Sequence, residues 1–216
     1  MTTLAEPTAT AEQRFLLDWV DWEFYEYVLE KLGDRHLFVT FHDGSIELMS
    51  PSYKHDVRGR CLGLLVNVLA EELHVRVKGA GSTTFQRKDL KIGVEPDQCF
   101  YIKNFERIRG KDKIDLTIDP PPDLAIEIEV SRRMISRMPL YAALGVPEIW
   151  RDDGSKLHVH LLGEDGEYHD AQRGLSFPSL PIDQVNQFLS LSVSLDDAEW
   201  TRTVRTWVKQ NLVGST

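Results

Sequence analysis

Asp123-Leu124-Ala125-Ile126-Glu127-Ile128-Glu129-Val130 is the stretch on which the fold turns. Its even-numbered positions, Leu124, Ile126, Ile128 and Val130, are all apolar. Period-two alternation predicts a β-strand with one face in a core. The other face then carries Glu127 and Glu129, roughly 6–7 Å apart at the rise of a strand. Neighbouring carboxylates repel, and β propensity disfavours both. A divalent cation bound through oxygen would offset that cost.

Upstream, Val94-Glu95-Pro96-Asp97-Gln98-Cys99-Phe100-Tyr101-Ile102 reads as the approach to a second strand, with Asp97 directly after a proline and inside it. Downstream come Arg132, Arg133 and Arg137. An Asp after Pro, a Glu-x-Glu strand and a basic helix follow the layout of the PD-(D/E)xK nuclease core. In that core one Asp and one Glu hold Mg²⁺ and a third residue serves the attacking water. Asp97 and Glu127 are therefore the expected ligands, because Mg²⁺ binds through one or two carboxylates and keeps several waters. Glu129 stands where the motif usually has Lys, and a carboxylate there acts as a general base or a further ligand. Arg133 and Arg137, four apart, are expected on one helix face. Arginine can stabilise a phosphate but cannot serve as the base. Glu95, on the face of Asp97, and Glu47, in Ile46-Glu47-Leu48, are additional acidic candidates. His55 is a candidate for touching a phosphate or a metal-bound water, although a lone His is ordinarily a surface or capping residue.

The remaining pattern is ordered around this centre. Thr10-Ala11-Glu12-Gln13 fits a helix-start capping box. Phe15, Leu16, Trp19, Trp22, Tyr25, Val28, Leu29 and Leu32 extend a helical stripe to Gly33, ordinarily a core face. Strands over 36–41 and 45–49 flank Asp43-Gly44, a hairpin signal. A helix is expected over 53–73, strands over 75–78 and 83–87, and a polar loop over 103–122 ending in three prolines. A helix over 134–144, strands over 146–150, 157–162 and 167–169, and a last helix over 197–211 complete the reading. Trp200 and Trp207 on that last helix suit a dimer interface or core packing. This order predicts an α/β (α+β) fold with a mixed sheet.

The 216 residues suit one domain, 11–212, after a disordered lead over 1–10. At 42% hydrophobic and 27% charged, the composition is that of a soluble globular protein. No apolar run reaches the length of a membrane span, and the first residues lack a signal-peptide pattern. Cys61 and Cys99 give neither a zinc pattern nor a secreted disulfide framework, which points to a cytoplasmic protein. The net charge of −9, from 34 acids against 25 bases, argues against strong non-specific DNA binding unless charge is segregated. Lys103, Arg107, Arg109, Lys111 and Lys113 form one local basic cluster, ordinarily a solvated loop.

The ordered set Glu47-Leu48-Met49-Ser50-Pro51 with His55, Glu95-Pro96-Asp97, Pro122-Asp123-Leu124-Ala125-Ile126-Glu127 and Tyr141-Ala142-Ala143-Leu144-Gly145-Val146-Pro147-Glu148-Ile149-Trp150 resembles the Uma2 family of restriction-endonuclease-like proteins. The resemblance runs over about residues 15–190. It implies a restriction-endonuclease-like core, a central mixed β-sheet flanked by helices, with Asp97 and Glu127 as ligands of Mg²⁺ or Mn²⁺. The family often has a Lys ahead of the Tyr-Ala-Ala-x-Gly-Val segment, and here Arg137 stands near that place. The function so implied is a metal-dependent endonuclease acting on DNA, with a homodimer expected because double-strand cleavage needs two sites. The alternatives are a non-catalytic binding or assembly derivative of the fold, and a hydrolase acting on RNA or nucleotides.

Overall fold

The computed structural model describes residues 12–33 and 35–213. Residues 1–10, read above as a lead, and Thr10 and Ala11 of the capping box lie outside them. Two sheets meet at the centre. The first has five strands in the order β1 (Gln13–Asp18), β3 (Ser45–Ser50), β2 (Phe38–His42), β6 (Ile92–Val94), β5 (Phe85–Arg87), all antiparallel. The second has six, in the order β11 (Tyr168–Ala171), β10 (Leu157–Leu162), β9 (Glu148–Asp152), β8 (Leu124–Ile128), β7 (Gln98–Tyr101), β4 (Lys78–Gly79). It is mixed: β8 and β9 run parallel and every other pair antiparallel.

Among the described residues six α-helices cover the sheets: α1 (Trp22–Leu32), α2 (Tyr53–Glu72), α3 (Phe105–Ile108), α4 (Met138–Leu144), α5 (Ile182–Leu191) and α6 (Asp197–Asn211). Leu62, Leu65 and Leu69 of α2, Phe188 of α5 and Trp200 and Val204 of α6 pack on Leu124, Ile126 and Ile128. On the opposite face of the same sheet Ala125 and Ile149 meet Leu140, Tyr141 and Leu144 of α4 and Phe85 and Val94 of the first sheet. Trp22 and Tyr25 of α1 close a third core on Val39, Phe41 and Ile46. The fold is thus mixed α/β, with helices flanking both sheets.

β8 is buried on both faces, not one, because it lies inside the six-stranded sheet between two cores. Four other expectations change. The helical stripe from Phe15 is two elements: β1 pairs with β3 along its length, and α1 starts only after Asp21 caps the Phe24 N–H at 2.8 Å. Trp19, at φ 63° and 99% exposed, separates them. Asp97 immediately precedes β7. The segment 133–137 is irregular and α4 begins at Met138, since Pro139 lacks the N–H an interior helical position must donate. Trp200 is buried in the core, so it is not an interface residue. The Asp43-Gly44 hairpin has both residues at positive φ, as its two-residue turn requires.

Candidate active site

The site lies where the two sheets meet. Glu127, on β8, turns away from α2 and is 3% exposed. Arg137 donates Nη1 to both of its oxygens, at 3.2 and 3.0 Å, and the Tyr141 hydroxyl and Arg133 Nη2 also donate to it. Arg137 is anchored from the other sheet too: Nε donates to Thr40 Oγ1 at 3.0 Å and Nη1 to the Glu95 carbonyl at 2.8 Å. Asp97 comes alongside because β7 pairs with β8. Its Oδ2 accepts the Ile128 N–H at 2.6 Å and lies 3.4 Å from Arg133 Nη2. Arg133 Nη2 also donates to the Ile128 carbonyl at 3.1 Å, so one nitrogen faces two carboxylates and a backbone oxygen.

His55 enters from the first turn of α2, where Ser52 caps its N–H at 3.3 Å. Its Nε2 is 3.3 Å from Asp97 Oδ1 without hydrogen-bond alignment, and 4.0 Å from Glu12 Oε1. Burial opposes charging of the His55 ring, but the Asp97 carboxylate, helped by Glu12, outweighs it and raises the pKa above the ordinary 6.5. Burial likewise opposes ionisation of Asp97, and His55, Arg133 and Arg137 overcome it, holding the carboxyl at about 2. Each group thus favours the charged form of the other.

Glu47 accepts from Arg14 and from the N–H groups of Met134 and Ile135, at 2.9 and 2.6 Å. It thereby fixes the backbone from which Arg133 projects. The Glu95 carboxyl accepts the Val39 N–H at 3.0 Å and the Thr84 hydroxyl, and burial raises its pKa. Glu129 falls just past β8, and its side chain pairs with Arg151 Nε, apart from Asp97 and Glu127. The two acids of Glu-x-Glu are therefore each neutralised by arginine. The sequence reading omitted Glu12, Arg14 and Tyr141. Arg14 reaches Glu47 and Glu12 only because β1 is a strand beside β3.

Glu12, Glu47, Glu95, Asp97 and Glu127 are buried or nearly so around Arg14, Arg133, Arg137 and His55. Asp97 Oδ1, Glu12 Oε1, both ring nitrogens of His55 and Arg133 Nη1 are buried there without hydrogen-bond partners. Such orphaned groups call for water or an ion. No cluster of three or more His, Cys, Asp or Glu side chains forms a metal cage among the described residues. Two carboxylates and the Ile128 carbonyl, completed by water, nevertheless fit a hard cation such as Mg²⁺. Asp97 and His55 open onto a cleft of about 540 Å³, which Gly81, Ser82 and Gln98 also line.

Other buried acids of the quoted motifs are structural. Asp123 accepts three hydrogen bonds from Ile102 and Asn104, Glu148 holds Trp150, Leu175 and Ser176, and Asp152 pairs with Arg58. Cys61 and Cys99 are free and buried, and burial pushes the Cys99 thiol up to about 12.

Comparison with known proteins agrees with the fold. A crystal structure described as a "putative nuclease belonging to DUF820" from Anabaena variabilis ATCC 29413 matches with a TM-score of 0.51 and 18% identity, covering 74% of this chain and 96% of that one. At that identity the likeness is one of fold. No curated protein matches significantly. The model of the Uma2 family, described as "Putative restriction endonuclease", matches residues 22–194, and the chain belongs to that family.

Proposed function

We propose that the chain is a metal-dependent endonuclease that hydrolyses phosphodiester bonds in DNA. The observation that carries this is the convergence of Asp97, Glu127 and the Ile128 carbonyl on one cationic nitrogen beside an open cleft. Asp97 and Glu127 would hold Mg²⁺ or Mn²⁺, which supplies charge stabilisation for the leaving oxygen and acidifies a bound water. His55, whose charged form Asp97 favours, would donate to the phosphate. Arg137 keeps Glu127 in position, and Arg133, once it leaves Asp97 and Glu127, would be the cation that meets the phosphate. Glu129 would have to leave Arg151 and turn toward Asp97 and Glu127 to accept the water proton.

Charge segregation supports a nucleic-acid substrate despite the net charge of −9. A second cavity, about 510 Å³, has Tyr101, Phe105 and Ile114 in its wall and Lys78 and Lys113 beside it, with Asp112 also lining it and with Arg109 and Lys111 paired to Glu106 and Asp119. Ala80 and Thr83 line it, and the intervening Gly81 and Ser82 line the cleft, so one short turn separates the two. We read this as the path of the strand beyond the scissile phosphate. β1 is an edge strand with Phe15 and Leu17 exposed, an arrangement that suits a homodimer. No helix among the described residues is long and apolar enough to cross a membrane, and the reduced cysteines suit a cytoplasmic setting.

The Arg151 pairing of Glu129, at the position of the usual Lys, favours a second reading, a non-catalytic binding derivative. Nicking of supercoiled plasmid with Mg²⁺ and then Mn²⁺ separates the two. The endonuclease reading expects EDTA-sensitive cutting by the wild type and none by Glu127→Ala. Equal cutting by both proteins, or cutting by neither, refutes it.

A further inference from the structure

We propose that Arg133 is a tethered counter-ion that occupies the divalent-cation position and must leave it when the metal binds, so that this residue sets the metal affinity of the protein. The inference rests on the metal reading of Asp97 and Glu127 above. Three oxygens from two chain segments surround Arg133 Nη2: Glu127 Oε2, Asp97 Oδ2 at 3.4 Å and the Ile128 carbonyl at 3.1 Å. Two carboxylates and a carbonyl are the hard donors that Mg²⁺ and Mn²⁺ select. A guanidinium nitrogen and a metal ion cannot both stand among them.

Arg133 and Arg137 differ in how firmly they are held. Arg137 caps α4 and is tied to Thr40, the Glu95 carbonyl and Glu127, bonds that span both sheets. Arg133 projects from the irregular segment between β8 and α4. Its Nη1 is buried without a partner, so its present seat leaves part of its hydrogen-bonding capacity unused. Glu47 fixes the backbone just beyond it, at Met134 and Ile135, so exchange needs only rotation of the long side chain. Because Arg133 binds the same oxygens, the metal's apparent affinity is lowered by the fraction of time the side chain is seated. The displaced guanidinium stays within a side-chain length of the cleft, where a phosphate would meet it.

The test is direct Mn²⁺ binding, by electron paramagnetic resonance of free Mn²⁺ and by calorimetry. The proteins are the full-length wild type, Arg133→Ala, Arg133→Lys, Glu127→Ala and the Arg133→Ala/Glu127→Ala double variant, each checked for native circular dichroism. The expected result is tighter binding by Arg133→Ala, on the order of tenfold, lost again in the double variant. Arg133→Lys keeps a cation but not the planar fork, guards against a poorly folded alanine variant, and should fall between alanine and wild type. Binding by Arg133→Ala and Arg133→Lys no tighter than wild type, with wild-type binding abolished by Glu127→Ala, overturns the inference and leaves the metal reading standing. Binding that survives in Glu127→Ala overturns both.

Discussion

Replacing Arg137 with methionine removes the guanidinium that joins the two sheets through the site. Arg137 is 4% exposed and satisfies Glu127, the Thr40 hydroxyl and the Glu95 carbonyl at once. Removing one partner of a buried ion pair costs about 3–5 kcal/mol, because the other charge stays buried. The Thr40 and Glu95 oxygens lose a donor as well, which adds to the cost. Arg133 and Tyr141 still support Glu127, and this holds the expected loss near ~4 kcal/mol. For a chain of this size that lowers Tm by about 8–16 °C. Urea unfolding of Arg137→Met, Glu127→Gln and the double variant forms a double-mutant cycle. Removing both members should cost less than the two single losses together, with a coupling of about 1–3 kcal/mol. A loss below ~1 kcal/mol for Arg137→Met, or a coupling below ~0.5 kcal/mol, would refute the account of Arg137 as the buried partner of Glu127.

Four further outcomes follow from named residues. Because His55 is raised above 6.5 by Asp97, their pairing stabilises the fold fully below that pH and is lost as pH climbs through the folded value. Asp97→Asn leaves burial as the dominant influence, so the His55 titration followed by NMR should drop below 6.5; an unchanged titration refutes the pairing. On the acid side, the Asp97 contribution is present above 3.8 and should vanish as pH falls toward about 2. Gly93→Ala should destabilise by about 1–3 kcal/mol in urea unfolding, since a Cβ there would lie 2.1 Å from the hydroxyl of fully buried Tyr25; a neutral result would mean that Tyr25 is not packed on β6. Lys78→Glu/Lys113→Glu should weaken binding of a labelled DNA oligonucleotide and flatten its salt dependence by about 2 in slope; unchanged anisotropy curves would remove the second cavity from the substrate path.

Much of this was legible in the chain because local signals and burial agreed. α2 and α6 carry apolar stripes that meet a core, and Asp43-Gly44 supplies the positive-φ turn its hairpin needs. β1 reads as helix in the sequence because Phe15, Leu16, Trp19 and Trp22 have helical spacing. Phe15 and Leu16 are exposed on an edge strand, so apolar periodicity there does not report a buried face. α5 went unrecognised although Ile182, Val185, Phe188 and Leu189 after Pro181 have the expected spacing. In the site, Glu127 stands out because a charge inside an apolar strand needs a reason, and Asp97 because it follows a proline at the approach to a strand. Arg133 is legible as a cation of the site but not as their ion-pair partner, since it reaches them from an irregular segment and not from a helix face, and Arg14 enters through a strand pairing that no local pattern encodes. The Glu-x-Glu pair looked like one site because alternation puts both acids on one side, but Arg151 on β9 draws Glu129 away.

The most direct measurement is anomalous diffraction from crystals of the protein soaked in Mn²⁺. The account predicts a peak bounded by Asp97, Glu127 and the Ile128 carbonyl, with the Arg133 side chain withdrawn from those oxygens. Full Mn²⁺ occupancy elsewhere, with Arg133 still seated between Asp97 and Glu127, would contradict it.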